Sequence, residues 1–456
     1  MSLCQISTVL ALSNEGVSEG VSRCIRETPF LWYIFIMQKL SDTLRERGYV
    51  YQYSSETLEE ITDPVSGQKR TVYLGIDPSA DSFHIGNLQA LLVLRRFLEA
   101  GHKVILLVGG GTGMIGDPSG KSEERNLLDD ATVTHNTAAL RVQAEYLFGG
   151  LDFQIVNNAD WLGSLDLIGF LRDIGKHFSV NAMLQRDSVK NRIQNQEEGI
   201  SYTEFSYMLL QSYDFLHLHQ EYGCDLQIGA SDQWGNMVSG IDLIRRKTGD
   251  TTYAFSCPLL INKSTGKKFG KSEGGAVWLD SAKTSPFEFY QFWFNTDDES
   301  VEEFLFKMTM LSKPEIDAVM SEHSADPSHR IAQKKLAFEV TQLVHGEEIA
   351  RGCEMTPEIL YSKDIVDITE TDADILRAIK APMLKVAAGD TIIDALVGSL
   401  IASSKREARQ FIEDGAVSLN GARVSDAAHT IAESDFHNGL ALLKRGKRAV
   451  VVLMRI

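Results

Sequence analysis

Two separated clusters carry residue types suited to phosphate chemistry. His84-Ile85-Gly86-Asn87 stands where an apolar run ends and a helical periodicity begins. A helix start offers unpaired backbone N–H groups and the positive end of a dipole. His84 and Asn87 add side-chain donors, and Gly86, with no side chain, lets a flat purine approach the backbone. Far downstream lies Gly266-Lys267-Lys268-Phe269-Gly270-Lys271-Ser272. Lysines around a glycine on a loop can neutralise a triphosphate as charge develops. Each cluster alone has a bland reading, an exposed histidine before a helix or a solvated basic loop. Together, in this order, they read as the two halves of one nucleoside triphosphate site.

A third group is Tyr207, Gln211 and Asp214, spaced i, i+4 and i+7. That spacing puts all three on one helix face. Polar groups on a mostly apolar helix need partners inside the fold or a polar ligand. Two further patterns are decoys. Gly111-Thr112-Gly113-Met114-Ile115-Gly116 matches GxGxxG after a strand. A dinucleotide site needs a helix opening at those glycines and an acid about 20 residues on. Turn chemistry, Asp117-Pro118-Ser119-Gly120, follows instead, and the next convincing helix begins near Thr132. Gly120-Lys121-Ser122 mimics the end of a phosphate-cradling loop, but Ile115 stands where its first glycine must be.

The elements that must position these groups alternate. Strand signals fall at Thr71–Ile76, Val104–Val108, Gln154–Val156 and Leu226–Ile228. Helical periodicity runs from Gly86 to a stop at Gly101, and over Thr132–Leu147, Tyr202–Leu218 and Asn236–Lys247. The expectation is an α/β fold, a Rossmann-like parallel sheet with helices on both faces. From Ser285 to about Cys353 the pattern is helical with almost no strand signal. Tyr361 to Lys385 is acidic and reads as a linker. The tail has helix patterns at Ile392–Leu400 and Lys405–Glu413, strands near Val417–Leu419 and Ala449–Met454, and a hairpin signal at Asn420-Gly421. The domain boundaries so read are 1–36, 37–284, 285–360, 361–385 and 386–456.

Composition narrows the class. Five cysteines lie scattered without a CxxC pair, which argues against a disulfide framework or zinc cluster and fits a cytoplasmic setting. The net charge of −17 is wrong for a surface that grips nucleic acid throughout. Residues 383–456, however, hold ten Lys/Arg against eight Asp/Glu, a locally basic end on an acidic body. The apolar run Phe30–Ile36 is far short of the roughly 20 residues a membrane helix needs, and it makes a poor signal peptide. Residues 1–36 are expected to be non-native or disordered, with the natural start at Met37.

Several stretches carry a family resemblance. They are Tyr73–Ser82, the glycine-rich 109–121, Gly175–Asn181, Thr203–Tyr207, Gly229-Ala230-Ser231-Asp232-Gln233-Trp234-Gly235-Asn236, and Lys268–Ser272. In these the chain resembles the class I aminoacyl-tRNA synthetases, specifically the bacterial-type tyrosyl branch, from about Met37 to Ile456. The tail from Ser403 resembles an S4-type RNA-binding domain.

The resemblance implies activation of L-tyrosine with ATP to tyrosyl-adenylate and transfer to tRNA(Tyr). It implies that Tyr73 and Asp214 bond the substrate phenol, that Asp117, Tyr207 and Gln211 hold its ammonium, and that Gln233 lies near its carboxylate. Gly75, Asp77, Ser79, His84, Asn87 and Asp232 would take the ATP half. Lys121, Arg125, Lys268, Lys271 and Ser272 would meet the phosphates. Lys405, Arg406, Arg409, Lys444, Arg445, Lys447 and Arg448 would contact RNA. Mg2+ would travel with ATP and pyrophosphate, with no dedicated protein metal site, and the protein would be a homodimer with no membrane association. Phenylalanine would leave the phenol-binding groups unpaired, at ~1–3 kcal/mol or more per group. Two alternatives stay open, a tryptophanyl-tRNA synthetase and an inactive RNA-binding paralogue. The sequence departs from the class at Asn87, where a second histidine is usual, and at Ser79, where threonine is common.

Overall fold

The computed structural model describes residues 39–456 except 65–66, 118–128, 187–188, 191–192, 194–198, 262, 264–270, 273–274, 358, 361–367 and 447–448. For Lys271 and Ser272 only the backbone is described. The first 38 residues, and with them the expected start at Met37, lie outside this set.

The central sheet has six strands in the order β1-β6-β5-β2-β3-β4. These are β1 (Gln52–Tyr53), β2 (Thr71–Ile76), β3 (Lys103–Val108), β4 (Gln154–Asn157), β5 (Leu226–Ala230) and β6 (Tyr253–Cys257). All neighbours are parallel except the edge strand β1, which runs antiparallel to β6. β3 is buried along almost its whole length, as a strand covered on both faces must be. The expected strands are all present; β6 was not foreseen. Its Ser256 and Cys257 blur the apolar signal, and pairing with β5 makes it a strand.

Chain order explains where a ligand can sit. β2, β3 and β4 are laid outward in one direction, and the chain then returns to place β5 and β6 on the other side of β2. Helices therefore leave β2 and β5 in opposite senses, opening a crevice at their carboxyl ends. Four helices frame it: α1 (Ile85–Glu99), α2 (Asp130–Leu147), α3 (Tyr202–Tyr222) and α4 (Trp234–Lys247). α3 begins with a reciprocal cap, Ser201 and Glu204 each accepting the other's backbone N–H, and ends at Gly223 with φ +64°.

Beyond the lysine loop the chain is helical: α5 (Pro286–Phe294), α6 (Val301–Met308), α7 (Lys313–Ala325), α8 (Ile331–His345) and α9 (Glu347–Pro357). Their apolar faces, with Phe289, Trp293, Phe304, Leu336 and Val340, join the same buried cluster as Leu88, Leu92 and Phe97 of α1.

The segment expected to be a linker needs correction. Glu370–Ala378 is a helix, α10, whose Ile375 packs on Gly352 of α9. Met383–Val386 is a strand, β9, paired in parallel with β13. The tail sheet runs β11-β10-β12-β13-β9, where β10 is Val417–Leu419, β11 Ala422–Arg423, β12 Leu440–Arg445 and β13 Ala449–Arg455. Alternate residues explain why the described part of the segment, 368–385, is no free tether. Leu440, Leu442 and Val452 face the main core, whereas Ala441, Leu443, Val451 and Leu453 cover α11 (Ile392–Gly398) and α12 (Lys405–Glu413). Of the acids in this stretch, Glu370 and Asp374 are on α10's solvent side, whereas Asp372 is buried and closes the reciprocal cap with Thr369. The hairpin at Asn420-Gly421 is present, with φ +50° and +82°, the double positive-φ turn that Asn-Gly favours.

Candidate active site

A cavity of about 340 Å³ occupies the crevice between β2 and β5. Tyr73, Gly75, Asp77, Ser79, His84, Asn87, Asp117, Tyr207, Gln211, Asp214, Asp232 and Gln233 all line it. Residues read from three distant parts of the chain thus share one wall. Lys121, Arg125, Lys268, Lys447 and Arg448 lie outside the described residues. Lys271 and Ser272 form a short ribbon, β7, paired with Gly275–Ala276, β8.

The floor of the cavity is built around Asp214, which is almost fully buried. Asn158 Nδ2 donates to its Oδ2 at 2.8 Å, and Trp161 Nε1 donates to its Oδ1 at 2.7 Å. Burial nevertheless pushes the carboxyl up to about 7; the two donors oppose that rise and nearby Asp77 adds to it. Tyr73 is also buried, and its hydroxyl has no hydrogen-bond partner. Burial, then the charge of Asp214, raises its pKa well above that of an ordinary phenol, so the hydroxyl stays a donor. A buried unpaired hydroxyl beside a buried carboxylate is costly unless a ligand completes it. Gln227, the register partner of Tyr73 on β5, lines the same cavity, and its Oε1 is buried and unpaired too.

Higher up the wall the polar groups bond one another. Tyr207 donates its hydroxyl to Asp77 at 3.1 Å, and Thr112 Oγ1 donates to Asp77 Oδ1 at 2.8 Å. Asn158 Nδ2 reaches Thr112 Oγ1 at 3.0 Å, while Asn158 Oδ1 accepts from Gly111 N. Asn158 thereby links the Asp214 and Asp77 ends. Gln233 Nε2 donates to Asp117 Oδ2 at 2.7 Å, and Asn236 Nδ2 donates to Gln211 Oε1 at 3.0 Å. Thr112, Asn158, Trp161, Gln227 and Asn236 were not read as site residues from the sequence. Each gains its role only when strand ends converge.

The same geometry disposes of the GxGxxG decoy. A single helical turn, Gly110–Gly113, does open at the glycines. However, a Cβ at Gly111 would press on Leu162 Cδ1 at 3.0 Å, and one at Gly113 would meet Pro78 Cδ at 3.4 Å. These glycines make room for side chains that follow β2 and β4 rather than for a pyrophosphate, and Gly116, at φ +87°, turns the chain instead of continuing a helix.

At the other end of the cavity His84 is the N-cap of α1. Asn87 Oδ1 accepts the His84 backbone N–H at 3.1 Å, the return half of a capping box. A Cβ at Gly86 would come within 2.8 Å of the His84 ring, so glycine is required for the imidazole to lie where it does.

The remaining sites are in the tail. Lys405, Arg406 and Arg409 are on α12, with Lys405 paired to Asp394 at 2.6 Å. All three are exposed. Lys444 and Arg445 are half-buried on β12, and the Arg445 guanidinium lies 4.4 Å over the Phe411 ring. Among the described residues no group of three His, Cys, Asp or Glu is arranged to hold a metal ion.

A parallel sheet with a nucleotide-sized crevice at its switch point, a histidine-capped helix and a lysine ribbon define a class I activating enzyme. The family model for class I tRNA synthetases (W and Y) matches residues 66–361, and the chain belongs to that family. Within it the chain sides with tyrosine. The tyrosine–tRNA ligase SYY-like C-terminal domain matches residues 375–453. Tyrosine–tRNA ligase of Bacillus caldotenax is 47% identical over 413 residues, 89% of this chain and 97% of that protein. The Geobacillus stearothermophilus enzyme is 46% identical over the same shares. Among solved structures, a C-terminally truncated Aspergillus nidulans mitochondrial tyrosyl-tRNA synthetase superposes with TM-score 0.62 at 30% identity, covering 70% of this chain and 93% of its own.

Proposed function

We infer that the chain is a tyrosine–tRNA ligase, and the observation that carries the reading is the unpaired Tyr73 hydroxyl beside buried Asp214 at the cavity floor. A phenol is the side chain that satisfies both, accepting from Tyr73 and donating to Asp214. Indole offers only an N–H and would leave the Tyr73 hydroxyl without an acceptor. Phenylalanine satisfies neither, and the strong rejection of phenylalanine by enzymes of this type is a documented case.

With the phenol on the floor, the substrate ammonium falls among Asp117, Tyr207 and Gln211, and its carboxylate points toward Gln233 and the α1 terminus. That carboxylate is already ionised at neutral pH, so no general base is needed. It attacks the α-phosphorus of ATP, the bond to the β-phosphate oxygen breaks, and pyrophosphate leaves. The ribose and adenine lie along Gly75, Asp77, Asp232 and Leu260, and the phosphates meet Ser79, His84, Asn87 and the lysine ribbon. Catalysis is orientation plus neutralisation of charge on the departing phosphates. Magnesium accompanies ATP and pyrophosphate as part of the substrate. In the second step a ribose hydroxyl of the tRNA 3′ end attacks the tyrosyl carbonyl, and AMP leaves.

The exposed cations of α12 support a tRNA contact by the tail. Leu167, Ile168, Leu171, Val180, Leu184 and Tyr202 are large apolar side chains left exposed. Apolar exposure of that kind suits burial against a second copy of the chain, so the protein is read as a homodimer. Among the described residues no helix is long and apolar enough to cross a membrane. The free buried cysteines Cys224, Cys257 and Cys353 suit a reducing cytoplasm.

ATP–pyrophosphate exchange with tyrosine, tryptophan and phenylalanine tests the reading. Exchange is expected with tyrosine; stimulation by tryptophan alone, or by none of the three, overturns it.

A further inference from the structure

The strand that follows the lysine ribbon is threaded against the residues that lead into α1. Ile85 N donates to Val277 O at 3.0 Å, and Leu279 N donates to Phe83 O at 2.8 Å. His84 and Trp278 are therefore an antiparallel bridge pair, with side chains on the same face. Their rings meet edge-on, centroids 6.0 Å apart at 62°. The Trp278 backbone N–H is fixed by Thr284 Oγ1 at 3.0 Å. Its indole is covered by Lys283, whose Nζ lies 5.3 Å from the ring centre and 2.5 Å from Asp81. The hydrogen bond from Lys283 holds the Asp81 carboxyl below its ordinary range. Asp280 N donates to Ser82 Oγ at 3.1 Å, a further tie between the two segments. Gly86 leaves the space beneath the imidazole free of a side chain.

We propose that Trp278 is a positioning residue for His84. Its indole edge confines the imidazole to the orientation that faces the cavity. Because Trp278 follows closely on β8, which pairs with Lys271–Ser272, the same strand sets the lysine ribbon in register with His84. The two halves of the phosphate site are thus joined by paired backbone and, at their side chains, by the His84–Trp278 contact, rather than meeting only on the ligand. This inference rests on the reading of His84 as a phosphate-binding group. It assigns Trp278 no contact with substrate.

The test is a double-mutant cycle on the full chain, read by ATP–pyrophosphate exchange at saturating ATP. Trp278→Leu is expected to lower kcat roughly 10- to 100-fold, the scale of a small misplacement of a catalytic group, with KM for tyrosine changed less than about twofold. Trp278→Phe, which keeps an aromatic edge, restores most of the rate. In a His84→Ala background Trp278→Leu has no further effect, because its only route is through the missing imidazole. Additive losses overturn the proposal, since a merely structural residue would weaken both backgrounds alike. A His84→Ala enzyme with unchanged rate sinks the His84 reading and the inference together. A slow His84→Ala enzyme beside an unaffected Trp278→Leu sinks the inference alone. Should Trp278→Leu fail to fold by circular dichroism, Lys283→Gln replaces it in the cycle. That variant releases the indole without changing the core and is expected to lose kcat only where His84 is present; equal losses with and without His84 overturn the proposal.

Discussion

Asp214 should make the enzyme less stable as the pH rises, and Asp214→Asn should remove that dependence. The carboxyl is nearly without solvent and titrates at about 7, against an ordinary value of 3.8. Its folded value is raised above its unfolded one, so the folded state binds the extra proton. The group's contribution is therefore most favourable below about pH 4 and is lost as the pH climbs toward 7. Each unit of displacement is about 1.4 kcal/mol, so roughly 2–3 kcal/mol disappears between pH 5 and pH 8. Asparagine does not titrate. It also presents an amide where Asn158 and Trp161 both donate, so one donor loses its acceptor and the absolute stability of the variant is offset at every pH. The informative quantity is thus the difference in unfolding free energy between variant and wild type, from urea titrations at pH 5, 6, 7 and 8. That difference should move in favour of the asparagine variant by roughly 2–3 kcal/mol across the series. The same variant should bind tyrosine poorly, because the phenol loses its charged acceptor. A difference that stays flat with pH would show that Asp214 is not held up by burial and would refute the reasoning.

Two further positions probe opposite ends of the cavity. Tyr73→Phe deletes a buried hydroxyl with no partner, so the free enzyme should be unchanged or slightly more stable, by up to about 1 kcal/mol. Discrimination of tyrosine over phenylalanine should fall roughly 5- to 150-fold, the ~1–3 kcal/mol of one unpaired buried group, measured as the ratio of kcat/KM in pyrophosphate exchange. A loss of stability with unchanged discrimination would mean that the hydroxyl serves the fold. At α1, Asn87→His should alter the exchange rate only modestly, since imidazole keeps a donor near the phosphates. Asn87→Ala loses both that donor and the acceptor for the His84 N–H. It should cost about 1 kcal/mol in thermal unfolding and a larger share of kcat. Equal rates for alanine and wild type would show that Asn87 makes no useful contact.

The chain itself determined more of this protein than its packing did, but not the decisive part. Apolar runs at Thr71–Ile76 and Val104–Val108 and the helical periodicity of α1 to α4 are local properties, so strand and helix assignments followed from side-chain spacing. His84, Gly86, Asn87, Tyr207, Gln211 and Asp214 were legible because several reactive residue types sit close together in sequence. β6 and the 361–385 segment were not legible. A strand whose apolar signal is broken by Ser256 and Cys257 exists because β5 offers it partners, and an acidic stretch becomes ordered because Ile375 meets Gly352. The floor of the cavity belongs to the tertiary structure alone. Asn158 and Trp161 lie more than fifty residues from Asp214, and nothing in their own neighbourhoods marks them. Only the convergence of β2, β4 and α3 at the switch point brings two donors, one carboxylate and one unpaired hydroxyl to one cavity floor. Burial is a property of the assembled fold, and it is burial that turns an ordinary aspartate and tyrosine into the raised carboxyl and unpaired donor on which the proposed tyrosine pocket rests.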